Sequence, residues 1–302
     1  MFQMAEPSSY LFPIADHEHL VSAWIRLNLR SGMGYFSFDQ VLKKWNLPKR
    51  HIQAQRPDEM LLKSVASQIR CIDERRLAYT HTAVALWELS VEMDQRLELT
   101  NCLAPARLEH TTLAFNTGWQ LCPRCAENDK EQLGYSFWHR NHQLPSVAHC
   151  YIHGTELLSC DSLRHMSSLI LPASWHPADL SSMPLSSELQ KWSRFVLKVD
   201  RILLESLEVV SEWRSEIWLL LGLPKKIRLK DRSLFDDLST QFEAKTGYAV
   251  LSHLFKAYRD DRDKRPNILW TTLYDRAKTV RHPVYWLVIL FWLRFELNID
   301  VD

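Results

Sequence analysis

Cys122-x2-Cys125 and Cys150-x2-His153 stand 24 residues apart in a chain of 302, and this spacing constrains the fold more than any other feature. Zinc takes four thiolate or imidazole ligands in a tetrahedron with arms of about 2.0–2.3 Å. A Cys-x2-Cys knuckle supplies two ligands, and Cys150 with His153 supplies two more from the far side of the intervening loop. Protein then fills all four positions, which leaves no place for a catalytic water and marks the expected Zn2+ site as structural. In zinc-finger peptides such a site contributes about 10–16 kcal/mol to folding. His139, His142 and His149 are rival ligands. His149 adjoins Cys150, so its ring should point elsewhere when the sulfur binds. His139 and His142 read as polar surface groups or as supports for the ligands. Cys160, Cys71 and Cys102 belong to neither knuckle.

Catalytic patterns are lacking elsewhere. A zinc deaminase needs His-x-Glu upstream of its cysteine pair, and "HEH" at 17–19 runs in the wrong order. No G-x-x-x-x-G-K-[ST] loop and no G-x-S-x-G elbow occurs. "RDDRDKR" at 259–265 interleaves cations with its acids and reads as a solvated helix end. A protein without catalytic activity is the expectation.

Only 7 glycines accompany long leucine-rich stretches, which favours helices joined by short turns. Asp16 can cap a helix that buries Leu20, Val21, Trp24 and Ile25, with Ser31-Gly32 as its stop. Ser37 and Gln40 have capping-box spacing, and Leu61, Leu62, Val65 and Ile69 share a helical face between breaks near Pro48 and Pro57. After a Ser- and Pro-rich stretch, Leu189, Trp192, Val196, Val199 and Leu203 mark a strong helix, which a stop at Gly222-Pro224 follows. Residues 232–260 and 266–298 read as further helix, with Pro266 and Pro283 at first-turn positions. The expected fold is mainly α. Residues 1–115 form an N-terminal helical domain of helix-turn-helix type, 116–160 a zinc finger, 161–186 a connector and 187–302 a C-terminal helical domain.

With 37 basic and 36 acidic residues the chain has no global attraction to nucleic acid, but residues 221–282 hold 14 Lys/Arg against 8 Asp/Glu. Lys225, Lys226, Arg228 and Lys230 are the densest part of that excess and are candidates for contact with nucleic acid or a partner. On the finger, Arg124, His139 and Arg140 are candidates of the same kind, with surface salt bridging as the competing reading. Phe137 and Trp138 are expected to pack the finger against its neighbours. No export signal is evident, and "VYWLVILFWL" at 284–293 is about half the length of a membrane span, so it reads as a buried helix in a cytoplasmic protein.

The loop between the knuckles carries more than ligands. "CPRC" followed by "LGYSFWHRNHQLPSVAHCYIHGTELL" resembles the zinc-finger signature of the TniQ/TnsD family of transposition target-selection proteins. The shared features are Cys122-Pro-x-Cys125, Gly134, Phe137-Trp138, Arg140, "HQLP" at 142–145, and Cys150-x-x-His153-Gly154 followed by Leu157. "HEHLVSAWIRLNLRSG", "THTAVALWELSVEMD" and "RHPVYWLVILFWL" are similar to segments before and after that finger. The resemblance implies a bacterial adaptor without chemistry of its own, nucleoid-associated when bound to target DNA. TniQ-type members attach, typically as homodimers, to a CRISPR effector complex (Cascade-like) with its guide RNA. TnsD-type members bind a chromosomal site directly. Both hand the target to TnsC, an AAA+ ATPase that recruits the transposase. The chain stops at Asp302 and keeps only Cys160 of a second cysteine cluster, which favours the TniQ role with the TnsD role as alternative.

Overall fold

The N-terminal apolar pattern becomes helix α1 (Leu20–Arg30) in a computed structural model of the chain. The structure describes residues 13–47, 54–55, 59–68, 73–91, 112–160, 169–174, 186–262, 265–274 and 281–299. Leu20, Val21, Trp24 and Ile25 are all buried, as their spacing predicts, and the chain leaves the helix through Ser31 and Gly32, the latter at φ +74°. The cap is not Asp16. His19 Nδ1 accepts the Val21 N–H at 3.1 Å, because Glu18 is drawn inward to a buried ion pair with Arg26 and brings His19 to the helix start.

The capping box of α2 (Phe38–Lys44) forms as its sequence predicts, with Ser37 N–H donating to Gln40 Oε1 at 2.8 Å and Gln40 N–H to Ser37 Oγ at 3.3 Å. Asn28 couples α2 to α1: its carbonyl oxygen accepts Trp45 Nε1–H, and its amide donates to the Trp24 carbonyl, both at 2.7 Å. Helices α3 (Glu59–Ala66) and α4 (Glu74–His81) close this layer with Leu61, Leu62, Val65, Leu77 and Ala78. Ile69, Pro48, Pro57, Cys71 and Cys102 lie outside the described residues. A short helix α5 (Val84–Trp87) follows.

The central segment holds two elements absent from the sequence reading. Strands β1 (Trp119–Leu121) and β2 (Leu158–Cys160) pair antiparallel, Trp119 opposite Cys160 and Leu121 opposite Leu158. Three residues are too few for a period-two signal. The stretch between the knuckles is not all loop, since α6 (Pro123–Leu133) starts inside the first knuckle and ends at Gly134, φ +77°.

The C-terminal half is built on α7 (Ser187–Glu205), whose Leu189, Trp192, Val196, Val199 and Leu203 are buried. Around it pack α8 (Val209–Leu220), α9 (Arg232–Thr246), α10 (Tyr248–Leu254), α11 (Lys256–Arg259), α12 (Ile268–Leu273) and α13 (Val284–Trp292). Gly222 (φ +58°) follows the end of α8, and Gly247 (φ +86°) splits the helical run 232–260 into α9 and α10. Asn267 caps α12, so Pro266 lies before its cap, and Pro283 occupies the N-cap position of α13. The apolar segment 284–293 is buried, with Phe291 edge-on to Trp192 and Phe195 at 5.3 and 5.2 Å. No helix among the described residues is long and apolar enough to cross a membrane.

Two apolar cores result. One joins α1–α4 with Trp119, Leu121, Trp138 and Leu169; the other joins α5 and α7–α13 with Cys122, Cys125, Leu144, Val147, Cys150 and Leu157. The central segment thus contributes to both. Ala85, Leu86 and Trp87, from within residues 1–115, pack in the second core.

His19 supplies a test of the first core. Burial, aided by the Arg140 charge, lowers its pKa to about 3, so the folded ring is neutral. Below about pH 6.5 the unfolded chain takes up a proton that the folded chain refuses, and stability falls with pH by up to about 1.4 kcal/mol per unit until about pH 3. His19→Asn keeps a capping acceptor without titrating. Urea denaturation should show the stability difference between wild type and variant shifting by about 2 kcal/mol toward the variant from pH 7 to pH 5. A constant difference would rule out the buried neutral ring.

Candidate metal centre

Cys122 is the N-cap residue of α6 and Cys125 lies in its first turn, behind Pro123 at the first helical position, where a missing N–H costs nothing. The second knuckle is a tight turn: Gly154 N–H donates to the Cys150 carbonyl at 2.9 Å, and His153 N–H to Cys150 Sγ at 3.4 Å. Gly154 has φ +64°, a conformation that L side chains rarely adopt. Cys150 N–H donates to the Thr155 carbonyl and Leu157 N–H to the Ala148 carbonyl, which carries the turn back toward β2.

The four predicted ligands converge. Cys125 Sγ lies 3.5 Å from Cys150 Sγ and 3.3 Å from His153 Nδ1, which is itself 3.5 Å from Cys122 Sγ and 3.6 Å from Cys150 Sγ. A tetrahedron with ~2.3 Å arms has edges of about 3.8 Å, so the donors already outline a coordination shell. The sulfurs are too far apart for a disulfide. Hydrogen bonds from Cys125 and Cys150 push the Cys122 thiol well down, while Cys122 and Cys150 push Cys125 up. Protons shared among crowded sulfurs are what a cation replaces, because thiolates are the ligating form. Cys122, Cys125, Cys150 and His153 could hold a metal ion, and their soft donor set fits zinc. The Asn128 amide, one turn along α6, sits 3.3 Å from His153 Nε2 and steadies the ring with Nδ1 facing the sulfurs.

The rival histidines are not on the surface. His142 is almost fully buried, with Nε2 4.0 Å from Cys125 Sγ, and burial lowers its pKa to about 3. His139 is buried too, stacked between Phe137 and His142 at 4.4 and 4.8 Å, with Nε2 2.9 Å from Asp129 of α6. Cys125, His139 and His142 form a second close trio, but it shares Cys125 with the four-ligand set and offers one donor fewer. His149 is buried and outside both groups of converging donors, and desolvation lowers its pKa.

Two finger residues expected at a nucleic-acid surface are turned inward. Arg140 is 3% exposed. Its Nη1 and Nη2 donate to Asp200 Oδ2 and Oδ1 of α7 at 2.6 and 2.8 Å, and Nε donates to the Thr82 carbonyl at 2.7 Å. This guanidinium clamps the finger to α7 and to the α4–α5 junction, which corrects both the phosphate-contact and the surface-bridge readings. His139 is corrected likewise, since its burial against Asp129 leaves the ring no face toward solvent. Arg124 is exposed on the first turn of α6. Lys225, Lys226, Arg228 and Lys230 are exposed on a separate turn between α8 and α9.

Phe137 and Trp138 are buried, and Trp138 donates Nε1–H to the Ile170 carbonyl at 3.1 Å and meets Trp119 edge-on at 5.5 Å. Gln143, in "HQLP", was missed by sequence reasoning. Its amide donates to the Gln120 carbonyl at 2.7 Å and its oxygen accepts Gln120 N–H at 2.9 Å, so a side chain completes the edge of β1. Asp200 was also missed. Its signal was a lone carboxylate on the apolar stripe of α7, which demands a buried cation.

Cys150→Ser should lose one equivalent of bound zinc by elemental analysis and melt far below wild type, since the site is expected to supply several kcal/mol. Retained metal and melting temperature would remove the centre from the fold. Asp200→Ala leaves Arg140 buried and unpaired and should cost about 3–5 kcal/mol in chemical denaturation, against much less for the double change Arg140→Met/Asp200→Leu. Equal losses would deny the clamp.

A family model described as TniQ matches residues 11–157, which spans α1–α6 and both knuckles, Cys122, Cys125, Cys150 and His153 included. No curated protein matches the chain. The aromatic pair, the inward arginine, the "HQLP" turn and the Cys3His knot all lie inside the matched span, and the chain accordingly carries a TniQ domain over residues 11–157.

Proposed function

We propose that the protein is a non-catalytic target-selection adaptor in DNA transposition, linking a target-recognition complex to a TnsC-like AAA+ ATPase and its transposase. The observation that carries this reading is the TniQ domain with a closed four-donor knot at its end. A zinc ion on Cys122, Cys125, Cys150 and His153 would have no open position for substrate, so its work is to hold one fold. The matched segment contributes to both apolar cores, which suits a part that must present two partner surfaces in fixed relation. The proposed partners are the ATPase, a CRISPR effector complex of Cascade type with its guide RNA, target DNA and a second copy of the chain. The proposed site of action is the bacterial cytoplasm, at the nucleoid once the target is engaged.

The alternative is a TnsD-like reader of one chromosomal sequence through its helix-turn-helix helices. Helix α2 is two turns long, carries Asp39 in its first turn, and follows α1 only after the residues 31–37. An acidic first turn opposes docking on phosphates, which supports the adaptor over the reader. On this reading the chain divides at 115, 160 and 186 into an N-terminal helical domain, the finger, a connector and a C-terminal helical domain.

Purified protein titrated with random and genomic duplexes at several salt concentrations separates the two roles. The adaptor should bind both weakly, with a specificity ratio near one, and should co-elute with the ATPase of its element. A ratio of about 10³ or more for one chromosomal sequence would establish the direct reader instead.

A further inference from the structure

A groove of about 890 Å3 runs between α4 and α7, outside the metal centre. Arg76 of α4 and Arg194, Lys198 and Arg201 of α7 line it, and the Arg140–Asp200 clamp forms part of its lining. Asp16 is the other carboxylate there, so five cations face two acids, one of which Arg140 already neutralises. Arg76, Arg194 and Arg201 are exposed and make no ion pair among the described residues. Positions 194, 198 and 201 fall on one face of α7 and spread their cations over about 10 Å, the rise of some three stacked nucleotides.

Two aromatic rings share the groove. His17 and Tyr151 meet edge-on at 6.0 Å, and both lie on its wall. His17 has φ +63°, left-handed backbone that a residue with a side chain adopts at a cost, and Arg140 N–H holds its carbonyl at 2.6 Å. The clamp under the groove therefore also fixes the ring at its rim. Cations along a line beside aromatic faces are what a single nucleic-acid strand needs, with phosphates on the arginines and an unstacked base on the rings. An acidic peptide would use the cations and leave the rings idle, and a duplex has no unstacked base to offer them.

We propose that this groove binds a single-stranded nucleic-acid segment. The site stands on its own side chains and not on the adaptor role: failure to bind the ATPase would leave it intact, and loss of strand binding would leave the adaptor reading intact.

The test is fluorescence anisotropy of the full-length, metal-loaded protein with labelled 12-mers of U and dT and with a mixed-sequence duplex, over a range of salt. Either single strand should bind more tightly than the duplex. Arg194→Gln/Arg201→Gln should weaken strand binding at least ten-fold and flatten the dependence of log K on log salt by about 1.4, at about 0.7 per cation. Tyr151→Leu should weaken it about ten-fold with the salt slope unchanged. Melting temperature and metal content are measured on each variant, and Arg76→Gln, remote from the knuckles, replaces Tyr151→Leu if that variant loses metal. Four results would overturn the proposal: duplex bound as tightly as strand, groove variants that bind like wild type, strand binding lost only in Lys225→Gln/Lys226→Gln, or polyglutamate competing as well as unlabelled strand.

Discussion

Three sulfurs and an imidazole nitrogen drawn to within 4.8 Å of one another are the constraint on which the rest of this structure depends. Thiolates at such separations repel, and thiols there must share protons in a strained compromise. A cation held there would remove the conflict, and its coordination geometry would fix the N-terminus of α6 against the turn at 150–153. Every other feature of the finger extends from that junction. Helix α6 leaves it toward Asp129, which meets His139, while the return strand leaves it toward β2.

The segment that carries the knot reaches both apolar cores. The cysteines sit in the C-terminal core, and Trp138 sits in the N-terminal one, so the segment between them crosses from one to the other. Arg140 lies at that crossing. Its bidentate pair with Asp200 and its bond to Thr82 fasten the finger to both sides at once. A buried ion pair of this kind adds little net stability, because desolvation offsets most of its attraction. Its worth is orientation: two planar groups with matched hydrogen bonds accept one arrangement of the helices and penalise others. The arginine clamp is thus a physical means of setting how the finger sits against α7 and the α4–α5 junction.

The convergence of Cys122, Cys125, Cys150 and His153 was legible in the sequence because knuckle spacing is a local property, set by a few backbone dihedrals. The helices were legible wherever an apolar stripe ran for several turns, as in α1 and α7. Strands β1 and β2 were not, since three residues show no period and only pairing across the 36 residues between Leu121 and Leu158 creates them. The cap of α1 was misplaced for a similar reason. Asp16 is the better cap by local preference, but the Glu18–Arg26 pair, a tertiary contact, shifts the helix start to His19.

The roles of the finger's polar residues divide along the same line. Spacing alone determined that Cys122, Cys125, Cys150 and His153 can meet, that the chain is mainly helical, and that segment 284–293 is interior. Sequence marked Arg140 and His139 as donors but could not tell which way they faced. That depended on Asp200, sixty residues away on α7, and on Asp129 across the turn of α6. Charge is written in the sequence; burial is decided only when distant elements pack, because the dielectric around a side chain is a property of everything folded against it.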